Sequence, residues 1–338
     1  MNHRALFVVA AGVMAVTAIA QTPAKKFTPP KTSWGDPDLQ GTFSSDEYIG
    51  VPFERPANFG TRRFLNDQEF QERAKNVDEL ATVHDTGERP TKGFWANQRG
   101  VDAAAVQPQW LEWAPRASRQ SSLVVDPPDG HVPAFTPEAK ALQAAAAAKR
   151  GQRPESWLDL TAYDRCITRG VAGSIFPVIY GNGTQIVQAP GTVAIRNEMI
   201  HETRIIPLDG RPHAPANERM NMGDSRGHWE GNTLVVETTN YLGGRNSVTV
   251  NGAGGVPYSD DLKTLERFTR VDDKHIDYEM RITDPKTYTA PWTVAFTITR
   301  EPGYQIFEYA CHEGNYAMHN RLSAARAEEA EEAAKAGK

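Results

Sequence analysis

GHWEGNTLVVETTN, residues 227–240, decides the fold. Two runs of alternating polar and apolar residues flank Gly231-Asn232, and a two-residue break of that kind marks a tight β-hairpin turn. Such a turn sets the register, so Glu230 faces Thr233, Trp229 faces Leu234, His228 faces Val235 and Arg226 faces Glu237. One face then carries Trp229, Leu234 and Val236. The other carries Arg226, His228, Glu230, Val235 and Glu237, with Arg226 and Glu237 opposed as a cross-strand ion pair. That polar face is either the wet side of a sheet or the lining of a cleft in which Arg226 orients Glu237 and His228 moves protons.

Outward from this hairpin, period two runs from about residue 175 to residue 313. Candidate strands cover residues 185–188, 192–206, 227–230, 233–241, 264–271, 275–283, 292–300 and 305–312. Short links at Gly231-Asn232, residues 272–274 and Glu301-Pro302-Gly303 make neighbours antiparallel. Strands in meander order predict a mainly β protein, α+β overall, with an antiparallel lipocalin-like barrel or strongly curved sheet at residues 173–316. An extended arm at 21–65 and a helical and hairpin region at 66–172 precede it, and a surface helix or tail at 317–338 follows. Asn66 with Glu69 three residues on caps a helix over 67–80. Residues 122–125 and 132–135 read as a short hairpin around the DPPDG turn, and Thr136-Pro137 opens an Ala-rich helix. Trp95, Trp110 and Trp113 follow no clean period.

The chain has 338 residues, 39% hydrophobic and 23% charged, with 23 Pro and 27 Gly, as suits a loop-rich globular protein rather than a disordered one. A formal charge of −5 gives no electrostatic reason to bind nucleic acid or an anionic membrane. Residues 1–20 carry Arg4, an apolar run and the small-x-small triplet Ala18-Ile19-Ala20, the pattern of a secretory signal peptide. No later segment is apolar for long enough to span a bilayer. The expected location is therefore periplasmic or secreted. In such a chain Cys166 and Cys311 are expected to form a disulfide, worth about 4 kcal/mol for so long a loop. A catalytic thiol at Cys311 beside His312 is the competing reading.

Gly223-Asp224-Ser225-Arg226-Gly227 spells G-x-S-x-G, yet a loop precedes it and a strand follows, where a nucleophile elbow needs strand then helix. The Gly-rich pieces at 181–183 and 252–255 lack the setting of a phosphate cradle. No metal-ligand spacing and no cofactor motif is present. Residues 192–206, taken as one strand, put Val193, Ile195, Met199 and Ile205 on one face, with Arg196, Glu198, Glu202 and Arg204 mostly on the other. His201 then lands on the apolar face beside Asn197 and Thr203, either as a satisfied core histidine or as a proton carrier. The last strand ends in a polar cluster, Tyr309, His312 and Glu313.

WGDPDLQG at 34–41, MIHETRIIPLDGRPH at 199–213, MGDSRGHWEGNTLVVETTNY at 222–241 and EYACHEGNY at 308–316 resemble a widespread family of exported bacterial proteins. The resemblance implies export and carries no activity, substrate or catalytic residue. From the residues themselves, Trp292, Val294, Phe296, Ile298, Ile276, Tyr278 and Met280 share an inner face and would make an apolar pocket for a small hydrophobic or aromatic molecule. Asn197, Tyr278, Phe296 and Tyr309 are its candidate lining. One expectation is a cofactor-independent lyase, isomerase or hydrolase using His201, His228 and His312 with Glu237 or Glu313, and Arg226 for orientation. A non-catalytic carrier and an envelope-associated interaction protein are the others.

Overall fold

The computed structural model describes residues 27–86, 114–149, 152–244 and 258–337. The signal-like stretch, Trp95, Trp110, Trp113 and the Gly-rich piece at 252–255 lie outside the described residues. The strands are β1 (Gly41–Ser44), β2 (Val124–Asp126), β3 (Thr184–Ala189), β4 (Thr192–Asn197), β5 (Thr203–Pro207), β6 (Asp224–Glu230), β7 (Thr233–Thr239), β8 (Lys263–Arg270), β9 (His275–Thr283) and β10 (Trp292–Arg300). They form one antiparallel sheet in the order β5-β4-β3-β1-β10-β9-β8-β7-β6, with β2 also paired to β10. The helices are α1 (Asp67–Thr86), α2 (Pro137–Lys149), α3 (Gly170–Ile175) and α4 (Tyr316–Ala336).

The protein is mainly β, and its sheet curls into a nearly closed, lipocalin-like barrel. Two meanders, β3 to β5 and β6 to β10, are joined by β1, a strand contributed by the arm. The edges β5 and β6 meet through side chains. A Cβ at Gly227 would fall 2.8 Å from Ile206 Cγ2 and 2.7 Å from Leu208 Cδ2, so the missing side chain lets the edges approach. Alternation drives the curling: Ile276, Tyr278, Met280 and Ile282 of β9 are all buried, and so are Trp292, Val294, Phe296 and Ile298 of β10. Each such side chain removed from water contributes about 1.5–3 kcal/mol. Helix α3 is buried along its whole length and adds Val171, Ala172 and Ile175 to the same core. The arm is pinned across the end where β8 finishes. Leu39 is fully buried, its N–H donates to Gln188 Oε1 at 2.7 Å, and Arg270 donates to Asp38 O at 2.9 Å.

The hairpin register is observed pair for pair, from Glu230↔Thr233 to Arg226↔Glu237. The cap of α1 is observed as well: Glu69 N–H donates to Asn66 Oδ1, and Asn66 N–H donates back to Glu69. Four expectations differ. Residues 122–125 and 132–135 do not pair with each other, because β2 joins β10 and Phe135 bridges Tyr288. Residues 305–312 form no strand, since both edges of β10 are already taken by β1 and β9. Arg226 and Glu237 face each other without bonding; Arg226 pairs with Asp224 at 2.6 Å and Glu237 with His213 at 3.0 Å. The strand expected over 192–206 is broken by a 3-10 turn, Met199–His201, in which Ile200 and His201 take φ of 60° and 47°.

That turn reverses the faces expected beyond it. Ile205 is 59% exposed, and Arg204 points into the barrel. Inside, Arg204 donates to both Glu266 oxygens at 2.6 and 2.9 Å, and Tyr278 donates to Glu266 Oε1 at 3.0 Å. Burial alone would lower the Arg204 pKa; the Glu266 carboxylate more than reverses this and raises it.

Candidate functional site

The turn after β4 exists because its middle is apolar and anchored. Met199 and Ile200 are buried, and Gly181, at φ 71°, makes room for the Met199 methyl, which lies 2.7 Å from where a Cβ would be. Asn197 N–H donates to Glu202 O at 2.8 Å and closes the loop. Left-handed backbone is costly for a non-glycine residue, and for β-branched Ile200 most of all. Among the described residues four non-glycine positions have positive φ, and three of them, Cys166, Ile200 and His201, belong to this corner of the molecule. Such strain concentrates at sites of function.

Cys166 and Cys311 are joined by a disulfide, with Cα atoms 5.6 Å apart. The bridge ties the turn after residue 161 to the segment leaving β10, which carries Tyr309 and His312. His201 is half-buried, and its Nδ1 lies 3.2 Å from Tyr309 O. With Nδ1–H donating to that carbonyl, the neutral ring presents a lone pair at Nε2. The His312 ring is exposed, and its centroid lies 5.9 Å from that of His201. Tyr309 stacks on Tyr180 at 6.4 Å, and the Tyr180 hydroxyl meets that of Tyr163 at 3.2 Å. Burial raises the pKa of both Tyr180 and Tyr309, so both remain neutral phenols.

Glu202, next to His201, was expected on an outer polar face and is instead half-buried against the 161–168 turn. Its Oε2 accepts from Thr168 Oγ1 at 2.9 Å and from Arg169 N–H at 3.1 Å. Desolvation raises its pKa, against the opposing pull of Thr168, Arg169, Arg204 and His201. On the other flank Glu198 accepts from the Tyr304 hydroxyl and from Phe307 N–H. Phenols, imidazoles and a carboxyl whose pKa burial raises thus line one corner at the start of β5.

The remaining candidates lie elsewhere. His228 is exposed and pairs with Glu230 at 3.3 Å, and Glu230 also binds Arg267 at 2.7 Å. Arg226 and Glu237 belong to a clasp around His213, a residue that sequence reading passed over because its Pro-rich loop has no period. Its Nδ1 lies 2.9 Å from Asp224 and its Nε2 3.0 Å from Glu237. Desolvation alone would raise the Asp224 pKa; bonds from Ala214 N–H, His213 and Arg226 outweigh it and lower the value. Glu313 is exposed beside His312. Asn197 is buried and accepts from Thr184 Oγ1 at 3.3 Å. Tyr278 and Phe296 pack on each other at 5.1 Å within the core, away from Tyr309. Among the described residues no three His, Cys, Asp or Glu side chains converge as metal ligands. No family model matches this chain, and neither a curated protein nor a solved structure is significantly similar to it.

Proposed function

We propose that this chain is an exported protein whose corner at the β4–β5 turn performs acid–base chemistry on a small hydrophobic or aromatic molecule, as a cofactor-independent lyase, isomerase or hydrolase. The observation that carries the reading is the meeting of His201 and His312, distant in sequence, on a strained turn clamped by the Cys166–Cys311 bridge. His201 Nε2 is the base, because its other nitrogen is engaged by Tyr309 O. His312 stands across from it as the second proton carrier. Burial raises the Glu202 pKa from its ordinary value, and Glu202 lies next to both His201 and the 161–168 turn. The Tyr180–Tyr309 stack gives an aromatic ligand a surface to lie against. His228, Arg226 and Glu237 are assigned no catalytic part. The signal-like residues 1–20 and the disulfide support export to an oxidising compartment.

Proton abstraction can be measured without knowing the reaction, as deuterium uptake from D2O into small aryl ketones read by proton NMR. Exchange above buffer, reduced about 100-fold or more by His201→Ala and by His312→Ala and unchanged by His228→Ala, is the expected outcome. No exchange over buffer, or exchange indifferent to His201, overturns the enzymatic reading. A second reading, ligand binding without turnover, draws on Phe307 and Tyr316, exposed aromatics flanking Tyr309 in sequence. It predicts NMR shifts at Tyr180 and Tyr309 on adding the same ketones, with no exchange.

A further inference from the structure

Gly41 ends the WGDPDLQG stretch, which the β4–β5 corner leaves unexplained, and it opens β1 at φ 150°. A Cβ there would fall 3.2 Å from Arg300 Nε and 3.4 Å from its Nη2, so the glycine lets the Arg300 guanidinium lie across the backbone of β1. That guanidinium borders an open groove of about 780 Å³ where β1 begins, β10 ends and β9 begins. The volume is within the range of small-molecule sites. Pro115, Pro302 and the Tyr304 ring provide an apolar wall, and Arg116, Lys274 and Arg300 bring positive charge.

The charges are unevenly committed. Glu47 is bonded to Arg116, Glu301 accepts from Ser44 Oγ at 3.0 Å, and Asp273 lies 3.9 Å from Arg270. Two of the three acids of the groove therefore sit against a cation, and the third, Glu301, is held by a neutral hydroxyl. The Lys274 and Arg300 side chains have no hydrogen bond or ion pair among the described residues. Two free cations beside an apolar wall, one of them seated by a glycine, match a ligand with a carboxylate at one end and an apolar body at the other.

We propose that this groove binds small organic monocarboxylates with an apolar body, the carboxylate on Arg300 and Lys274 and the body against Pro115, Pro302 and Tyr304. The groove shares Tyr304 with the flank of the His201–His312 corner, whose Glu198 binds the Tyr304 hydroxyl, but its cations are its own and the proposal does not depend on the function of that corner. The test is titration of the full chain with 4-phenylbutyrate and with its neutral amide, followed by calorimetry and backbone NMR. The carboxylate should shift Gly41, Lys274 and Tyr304, bind at least tenfold more tightly than the amide and weaken as salt rises. The pair Lys274→Gln and Arg300→Gln should lose at least tenfold in affinity, whereas Lys75→Gln on α1, which removes a cation that does not line the groove, should leave affinity unchanged. Equal binding of the amide overturns the proposal. Retained affinity in the paired variant does so too, as does the absence of shifts in the groove. The amide and salt arms use the unaltered protein and stand even where the paired variant fails to fold.

Discussion

The β6–β7 hairpin and the β4–β5 pair are both antiparallel neighbours near the barrel seam, yet they were unequally readable. In the hairpin two residues make the turn, the chain stays extended on both sides, and every cross-strand pair follows by counting. Between β4 and β5 the alternation breaks at Met199-Ile200 and His201-Glu202, where like residues stand side by side, and Ile200 and His201 leave the extended region. One local helical turn carries the chain out of phase, so that Ile205 faces out and Arg204 faces in. Alternation reports faces only while the backbone is extended, and the phase error falls at the strained site.

The largest test of that difference is the buried pair. Glu266→Ala should destabilise the protein by about 3–5 kcal/mol in denaturant unfolding, because Arg204 is left charged and unpaired inside the barrel. A loss below about 1 kcal/mol would put Arg204 on the outside and restore the unbroken strand. Next comes the bridge across the corner. Cys166→Ser with Cys311→Ser should cost about 2–5 kcal/mol and remove the effect of His312 substitution on His201. At position 201 itself, glycine should be more stable than alanine by about 1 kcal/mol, since only glycine takes φ of 47° without strain. Equal stability of the two variants would argue that the turn is unstrained. The smallest effect belongs to the hairpin side. The Asp224 pKa is lowered in the folded state, so its stabilisation is present at neutral pH and is lost as pH falls below about 4 through the lowered value. Acid unfolding should accordingly be less steep in Asp224→Asn than in the unaltered protein.

Much of the fold was legible because it rests on local rules. Strands β9 and β10 alternate without interruption and were bounded to the residue, and the caps of α1 and the turn at Gly231-Asn232 are short-range signals. Strand β1 was not, because four residues in a Pro-rich arm have no period, and their place between β3 and β10 is a long-range fact. Of the candidate site, His201, His312, Tyr309 and the two cysteines come together, and His228, Arg226 and Glu237 do not. Glu266 had a readable signal: it shares parity with Phe268 on β8, and a carboxylate on an apolar face demands a partner. His213 and Glu202 had none, since His213 reaches Asp224 of β6 from a loop without period and Glu202 meets Thr168 in the turn after residue 161.

His201 and His312 are expected to act as neighbours while His228 stands apart, which is read by recording the His201 ring signals from pH 5 to 8 by NMR in the full chain, in His312→Ala and in His228→Ala. The His201 signals and their pH dependence should change in His312→Ala and coincide with the unaltered protein in His228→Ala. Identical His201 titrations in all three proteins would contradict this expectation.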